Sequence, residues 1–322
     1  MNGADLAVEA VGLTRRFGSF VATSDVNLRV PRGTVYGFVG PSGSGKTTAI
    51  RMLCGLLKPT SGRASVNGFD IERQPERVRE SIGYMSQRFS LYNDLTVAEN
   101  LQFYGRVYGI NRRHLNERQE AVIGINHLEP YTHQLAGKLS GGWKQRLALS
   151  CAMLHEPKIL FLDEPTAGID PVARRELWDL IFQLSGNGIT FFVTTHYMDE
   201  AERCNRLAYI YSSRIIAEGT PAELKGMPEV NPPGTRRLEL RSSEITRALQ
   251  RLRQISGVLS ATAFGQTIHA LVEAGFSPEE ATAALSSAGV QVFDIREVSA
   301  SLEDVFVELT YLRREQLEAV HA

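Results

Sequence analysis

Hydrophobic positions fall into three patterns that change along the chain. The first segments, Ala7-Val8-Glu9-Ala10-Val11 and Val26-Asn27-Leu28-Arg29-Val30, alternate with period two on either side of Gly18-Ser19, which predicts an antiparallel flap of half-buried strands. Short unalternating runs follow at Val35–Val39, Ile159-Leu160-Phe161-Leu162 and Ile189–Thr195, as expected of parallel strands buried on both faces. Ser81–Gln87 and Arg206–Tyr211 read as further strands, and Ala64 and Val66 as a short one before an Asn67-Gly68 turn. Between Gln87 and Ile159 the spacing becomes helical. Thr96 and Glu99 form a capping box ahead of Val97, Leu101, Tyr104 and Tyr108 on one face, and a second helix is expected from Arg112 to about Leu128. The whole describes an α/β sheet protein with an antiparallel β subdomain and an inserted helical subdomain at about residues 88–155.

Composition changes the tail of this picture. Gly226-Met227-Pro228 through Asn231-Pro232-Pro233-Gly234 reads as a linker, which divides the chain into residues 1–225, a linker at 226–235 and a C-terminal module at 236–322. That module shows strand Arg237–Leu240, helix Ile245–Ile255, strands Val258–Ala263 and Ile268–Val272, a helix capped at Ser277-Pro278-Glu279-Glu280, and strand Val290–Ile295. This βαββαβ order predicts a small α+β, ferredoxin-like domain. A last helix starts at the capping box Ser301-Leu302-Glu303-Asp304.

Charge narrows the functional classes. With 35 basic and 36 acidic residues the net charge is -1, and no global field draws the chain to nucleic acid or anionic lipid. Cys54, Cys151 and Cys204 are scattered without C-x-x-C spacing, which suggests a reducing compartment and no metal-thiolate site. The start of the chain has no signal pattern and no apolar run approaches the ~18 residues of a spanning helix, so a cytoplasmic protein is expected.

The candidate chemistry lies at the ends of the apolar runs. Gly40-Pro41-Ser42-Gly43-Ser44-Gly45-Lys46-Thr47-Thr48 fits G-x-x-x-x-G-K-[ST], and it stands between a strand and a helix as that motif requires. Its glycines let successive N–H groups turn onto a phosphate, Lys46 would reach the β- and γ-phosphates, and the Thr47 hydroxyl would ligate Mg²⁺. The strand at Ile159 delivers Asp163 and Glu164 to a carboxyl edge, where Asp163 is placed to hold Mg²⁺ and Glu164 to polarise an attacking water. The strand at Ile189 delivers His196 to the same edge. Ser140-Gly141-Gly142 opens a helix and offers a second anion site, or ordinary capping. Phe17 stacks on a base or sits in a core.

Taken in this order over residues 6 to about 225, the motifs resemble the nucleotide-binding subunit of ABC transporters. Gln87 then matches the family's Q-loop glutamine, with a place near the metal. Leu139-Ser140-Gly141-Gly142 matches the signature, Ala167-Gly168-Ile169-Asp170 the D-loop, His196 the switch histidine and Phe17 the base-stacking aromatic. The resemblance implies a P-loop ATPase using ATP and Mg²⁺, and a homodimer that sandwiches two ATP molecules, with Ser140 and Gly142 of one subunit facing the nucleotide on Lys46 of the other. It implies peripheral attachment to the inner membrane face through a separate permease, with no direct insertion and no nucleic-acid partner. The permease contact is expected near Gln87 to Leu95, where Arg88, Phe89, Leu91 and Tyr92 offer an apolar and basic mixture. Two departures stand out: Trp143 where the family commonly has Gln, and Ala-Gly-Ile where the D-loop commonly has Ser-Ala-Leu. The tail, ending in Ser301-Leu302-Glu303-Asp304-Val305-Phe306, is similar to that of ABC-2 type drug exporters, and a role in dimer stability or regulation is expected of it. An importer subunit and a soluble, non-transport ABC ATPase are the alternatives.

Overall fold

The structure, a computed structural model, describes residues 6–87 and 91–321, with side chains to residue 315. Arg88 and Phe89, named for the permease contact, lie outside the described residues. The chain divides into two compact units, Met1–Thr220 and Pro221–Ala322.

The first unit opens with β1 (Leu6–Phe17) and β2 (Phe20–Pro31), joined by the two-residue turn Gly18-Ser19 so that Phe17 faces Phe20. Then come β3 (Val35–Val39), α1 (Lys46–Leu53), β4 (Ser61–Val66) and β5 (Phe69–Asp70). Asn67 and Gly68 both take positive φ, 51° and 87°, the geometry a two-residue hairpin turn demands. After α2 (Pro75–Ser81) and β6 (Ile82–Met85), the described residues add the α-helices α3 (Val97–Val107), α4 (Arg112–Asn126) and α5 (Gly141–Met153). The capping box at Thr96 and Glu99 is formed in both directions. The unit closes with β7 (Ile159–Asp163), α6 (Pro171–Gly186), β8 (Thr190–Thr195), α7 (Met198–Ala201), β9 (Arg206–Tyr211) and β10 (Arg214–Gly219).

Strand order explains why the apolar runs do not alternate. Six strands run β10-β9-β3-β8-β7-β6, parallel except for β10, and the residues of β3, β7 and β8 are all buried. Leu160, Leu162, Phe191 and Val193 pack with Leu177, Trp178 and Ile181 of α6 and with the helical insert. Ile159, Phe161 and Phe192 point the other way, into a second core with Ile50 and Leu53 of α1 and the flap sheet β2-β1-β4-β5. A sheet covered on both faces exposes its carboxyl edge as the open place for chemistry.

The second unit contains α8 (Pro221–Lys225), β11 (Thr235–Ser242), α9 (Ile245–Leu252), β12 (Val258–Phe264), β13 (Thr267–Glu273), α10 (Pro278–Ser287), β14 (Val292–Glu297) and α11 (Leu302–His321). Its sheet has the order β12-β13-β11-β14, antiparallel throughout, the ferredoxin-like arrangement. Strand β14 starts two residues later than the sequence pattern suggests, because Val290 ends the α10 turn as a core residue.

Candidate nucleotide site

The glycine loop follows β3, which lies between β9 and β8 in the sheet, so the loop emerges at its middle. Two of its glycines are dictated by close approach. A Cβ on Gly40 would stand 2.2 Å from the Ile210 carbonyl oxygen, and one on Gly45 would stand 2.3 Å from that of Ala22, where φ is also +107°. Helix α1 then begins at Lys46 with no side-chain cap, leaving its first N–H groups to whatever anion occupies the loop.

Lys46 is buried, and its Nζ donates to the carbonyls of Gly40 and Pro41 at 2.8 and 3.0 Å and lies 3.5 Å from Glu164 Oε1. Burial pushes its pKa down, while Glu164 and Asp163 pull it back up. Glu164 gathers the remaining groups. Gln87 Nε2 donates to Glu164 Oε2 at 3.0 Å, and His196 Nδ1 stands 3.4 Å from the same oxygen. The backbone of Glu164 is left-handed, with φ of 50°, which turns the side chain off the strand line and into this cluster. A cleft of about 410 Å³ opens here, lined by Ser42, Gly43, Gly45, Lys46, Thr47 and Thr48 together with Gln87 and Glu164.

Asp163 is 1% exposed at the end of β7. Its Oδ1 accepts from Thr194 at 2.7 Å and from Thr47 at 3.2 Å, whereas its buried Oδ2 has no hydrogen-bond partner among the described residues. Burial raises the carboxyl pKa, and the two hydroxyl donors oppose that rise. Thr47 and Asp163 thus present adjacent hard oxygens, one of them unsatisfied, and this donor set fits Mg²⁺. Ser44 Oγ, within the loop, is likewise buried without a hydrogen-bond partner among the described residues.

Ser140, Gly141 and Gly142 stand apart from this cleft and, among the described residues, do not line it. Ser140 is the exposed N-cap residue of α5 and its side chain makes no cap hydrogen bond. The two glycines have a local reason to be small. A Cβ on Gly142 would sit 2.6 Å from the Cβ of Ala173 on α6, and one on Gly141 would sit 3.2 Å from Ile169. Asp170 caps α6 through Val172 N and Ala173 N, both at 3.0 Å. Trp143 packs against Tyr131, with ring centroids 4.5 Å apart, and carries Arg146 over its face. The aromatic that lines the cleft is Phe20; Phe17, its cross-strand partner, lies exposed under the Arg15 guanidinium.

Sequence reasoning missed Thr194 and Thr195. Thr194 Oγ1 donates to Asp163 and accepts from the Glu164 N–H at 2.9 Å, so one hydroxyl fixes both acidic residues. A pair of threonines ending an apolar run was the available signal, since a buried strand end has little other use for hydroxyls. Glu200, four residues beyond His196 and 1% exposed, was missed as well.

Comparison with known proteins agrees with this layout. The ABC transporter family matches residues 23–167. Over 221 residues the chain is 48% identical to the probable multidrug ABC transporter ATP-binding protein YbhF of Escherichia coli (strain K12), covering 69% of this chain and 38% of that protein. The chain therefore spans well under half the length of that relative. It is 36% identical over 322 residues to the daunorubicin resistance ATP-binding protein DrrA2 of Streptomyces coeruleorubidus, covering 98% of both. Among solved structures, the ATP-binding cassette MJ0796, a dimeric post-hydrolysis state bound to ADP and Pi, superposes with a TM-score of 0.60 at 26% identity, over 66% of this chain and 98% of that one. A relative 36% identical over nearly the whole of both chains places this chain in the ABC transporter family, among its ATP-binding subunits.

Proposed function

We propose that the chain binds and hydrolyses ATP in the cleft at the carboxyl edge of the sheet, as a dimer, and drives a separate membrane permease that exports hydrophobic or drug-like compounds. The observation that carries this reading is the convergence of Lys46, Gln87 and His196 on Glu164, each within hydrogen-bond or ion-pair reach of its carboxylate, beside the glycine loop. The drug-resistance names of the relatives support the export direction.

In this reading the loop N–H groups and the start of α1 bind the phosphates, and Lys46 exchanges its ion pair with Glu164 for the γ-phosphate. Release of Lys46 frees the Glu164 carboxylate to accept the proton of the attacking water. Gln87 and His196, which both meet Glu164 Oε2, hold that water and the γ-phosphate in line. Thr47 and Asp163 would hold Mg²⁺, which when bound would supply positive charge to stabilise the phosphates during transfer. Ser140 and Gly142, away from this cleft, are the groups offered to the nucleotide of a second subunit. The described helices include none long and apolar enough to cross a membrane, in keeping with work through a partner. The C-terminal unit is assigned to dimer stability or regulation.

The test is steady-state ATPase activity and ATP binding of the full chain against Glu164→Gln. Loss of general-base catalysis predicts a fall of roughly 10²- to 10⁴-fold in turnover with ATP affinity retained. Turnover in Glu164→Gln equal to wild type would remove Glu164 from this role. Export is tested separately, by drug efflux in cells carrying the chain with its permease.

A further inference from the structure

The buried carboxylate of Glu200 is not used by the mechanism above, yet it touches both loops on which that mechanism depends. Glu200 lies on α7, just after the turn that carries His196. Its Oε2 accepts from Thr195 Oγ1 at 2.5 Å, at the end of β8 and one residue before His196. Its Oε1 accepts from Thr166 Oγ1 at 2.5 Å, two residues after Glu164, and lies 3.6 Å from Arg174 Nε on α6. One oxygen therefore serves the histidine loop and the other the loop leaving Glu164. Thr195 and Thr166 are each 1% exposed, so neither bond competes with water.

The contacts continue to the reacting groups. Arg174 lies over the Tyr197 ring, 4.0 Å from its centroid, and the Tyr197 and His196 rings are 4.2 Å apart. The Tyr197 N–H donates back to Thr195 Oγ1 at 3.0 Å. At the far end His196 Nδ1 meets Glu164 Oε2. A carboxylate that only filled space here would be a poor choice, because burying a charge costs more than burying an apolar side chain of the same volume. Its two oxygens instead fix the separation of two loops whose reacting groups must meet over one phosphate.

We propose that Glu200 is a positioning residue for ATP hydrolysis, one that bridges the loop of Glu164 to the loop of His196 and sets their spacing with Arg174 as its countercharge. The inference rests on the hydrolytic reading of the cleft given above. A displacement of about 1 Å among reacting groups costs on the order of 10²-fold in rate, whereas binding at the glycine loop does not pass through this bridge.

The experiment compares full-length wild type with Glu200→Gln, which keeps the shape and one acceptor oxygen for a threonine hydroxyl, but puts an amide N–H donor in place of the other and removes the charge facing Arg174. Expected is a turnover number lowered roughly 10-fold or more, with KM for ATP within about twofold. The same substitution made in a His196→Ala background should lower the residual rate no further, a coupling that general loosening of the core would not produce. If Glu200→Gln does not fold, Arg174→Met, which leaves the threonine bonds in place, is measured with the same expectations. A wild-type turnover number in the folded variant, or fully additive losses with His196→Ala, would overturn the proposal. A wild-type chain without ATPase activity overturns the hydrolytic reading, and this inference with it. Normal wild-type activity beside an indifferent Glu200→Gln sinks this inference alone.

Discussion

Replacing Thr194 by valine removes one hydroxyl and almost no volume, and that hydroxyl has two duties. It donates to Asp163 Oδ1 at 2.7 Å and accepts from the Glu164 N–H at 2.9 Å. The second loss is partly covered, because the Glu164 N–H also reaches the Thr194 carbonyl at 3.2 Å, a bond that valine keeps. The first is not covered: among the described residues Asp163 retains the longer contact from Thr47 at 3.2 Å, and its Oδ2 has no hydrogen-bond partner there. A hydrogen bond to an ionised group contributes about 1.5–3 kcal/mol, so the carboxylate form of Asp163 should be disfavoured by roughly that amount. At about 1.4 kcal/mol per factor of ten, the cost to steps that need ionised Asp163 is roughly 10- to 100-fold. The direction with pH follows from the pKa. Burial already holds the Asp163 carboxyl above its ordinary value, and removing a donor that opposes burial raises it further. Thr194→Val should therefore need a higher Mg²⁺ concentration for ATPase activity, and the acidic limb of its pH profile should move to higher pH. Thr194→Ser, which restores the hydroxyl, should return both toward wild type. A folded Thr194→Val protein with an unchanged Mg²⁺ requirement and pH profile would refute the claim that this hydroxyl holds Asp163 ionised.

In Gly142→Ala the new methyl would overlap the Ala173 methyl at 2.6 Å, and overpacking of this kind costs about 1–3 kcal/mol, more than the gain of about 1 kcal/mol in helix propensity. Thermal unfolding should show a lower Tm, restored by Ala173→Gly in the same chain; a Tm unchanged or raised in the single variant would contradict the close approach of α5 to α6. In the C-terminal unit Asp304 accepts from Arg237 at 3.0 Å and from His269 at 2.9 Å, while the other His269 nitrogen lies 3.4 Å from Glu239. Burial pushes the Asp304 carboxyl up, but the His269, Ser301 and Arg237 partners together hold it below its ordinary value, and the Asp304 hydrogen bond raises that of His269. The His269 contribution is thus complete below about pH 6.5 and fades as pH rises through its raised pKa, whereas the Asp304 contribution fades as pH falls through its depressed one. Asp304→Asn should lose about 3–5 kcal/mol of local stability and flatten the alkaline decline, read by hydrogen exchange of β11 and β13 amides across pH.

Local chemistry in this chain was legible because it is written in contiguous residues. The glycine loop, the capping boxes at Thr96 and Ser301 and the unalternating runs at Ile159 and Ile189 each declare their conformation within about ten residues, and the structure forms all of them. Phe20 shows the limit. Its exposure beside the cleft depends on the twist and pairing of a hairpin, and nothing in the spacing separates it from Phe17.

By itself the sequence determined which elements form and which side chains stand at their ends, since capping, turn chemistry and periodic burial act over one or two turns of backbone. Only the tertiary structure decided that β3, β8 and β7 lie side by side, and so that Lys46, Thr194, Asp163 and Glu164, up to 148 positions apart by the difference between 46 and 194, share one cluster. Strand order is a property of how two apolar faces are covered at once, by α1 and the flap on one side and α6 on the other, and no window of sequence contains both coverings. The same holds for the Thr166 partner of Glu200 and for the Ala173 neighbour of Gly142, which arrive from separate segments through packing.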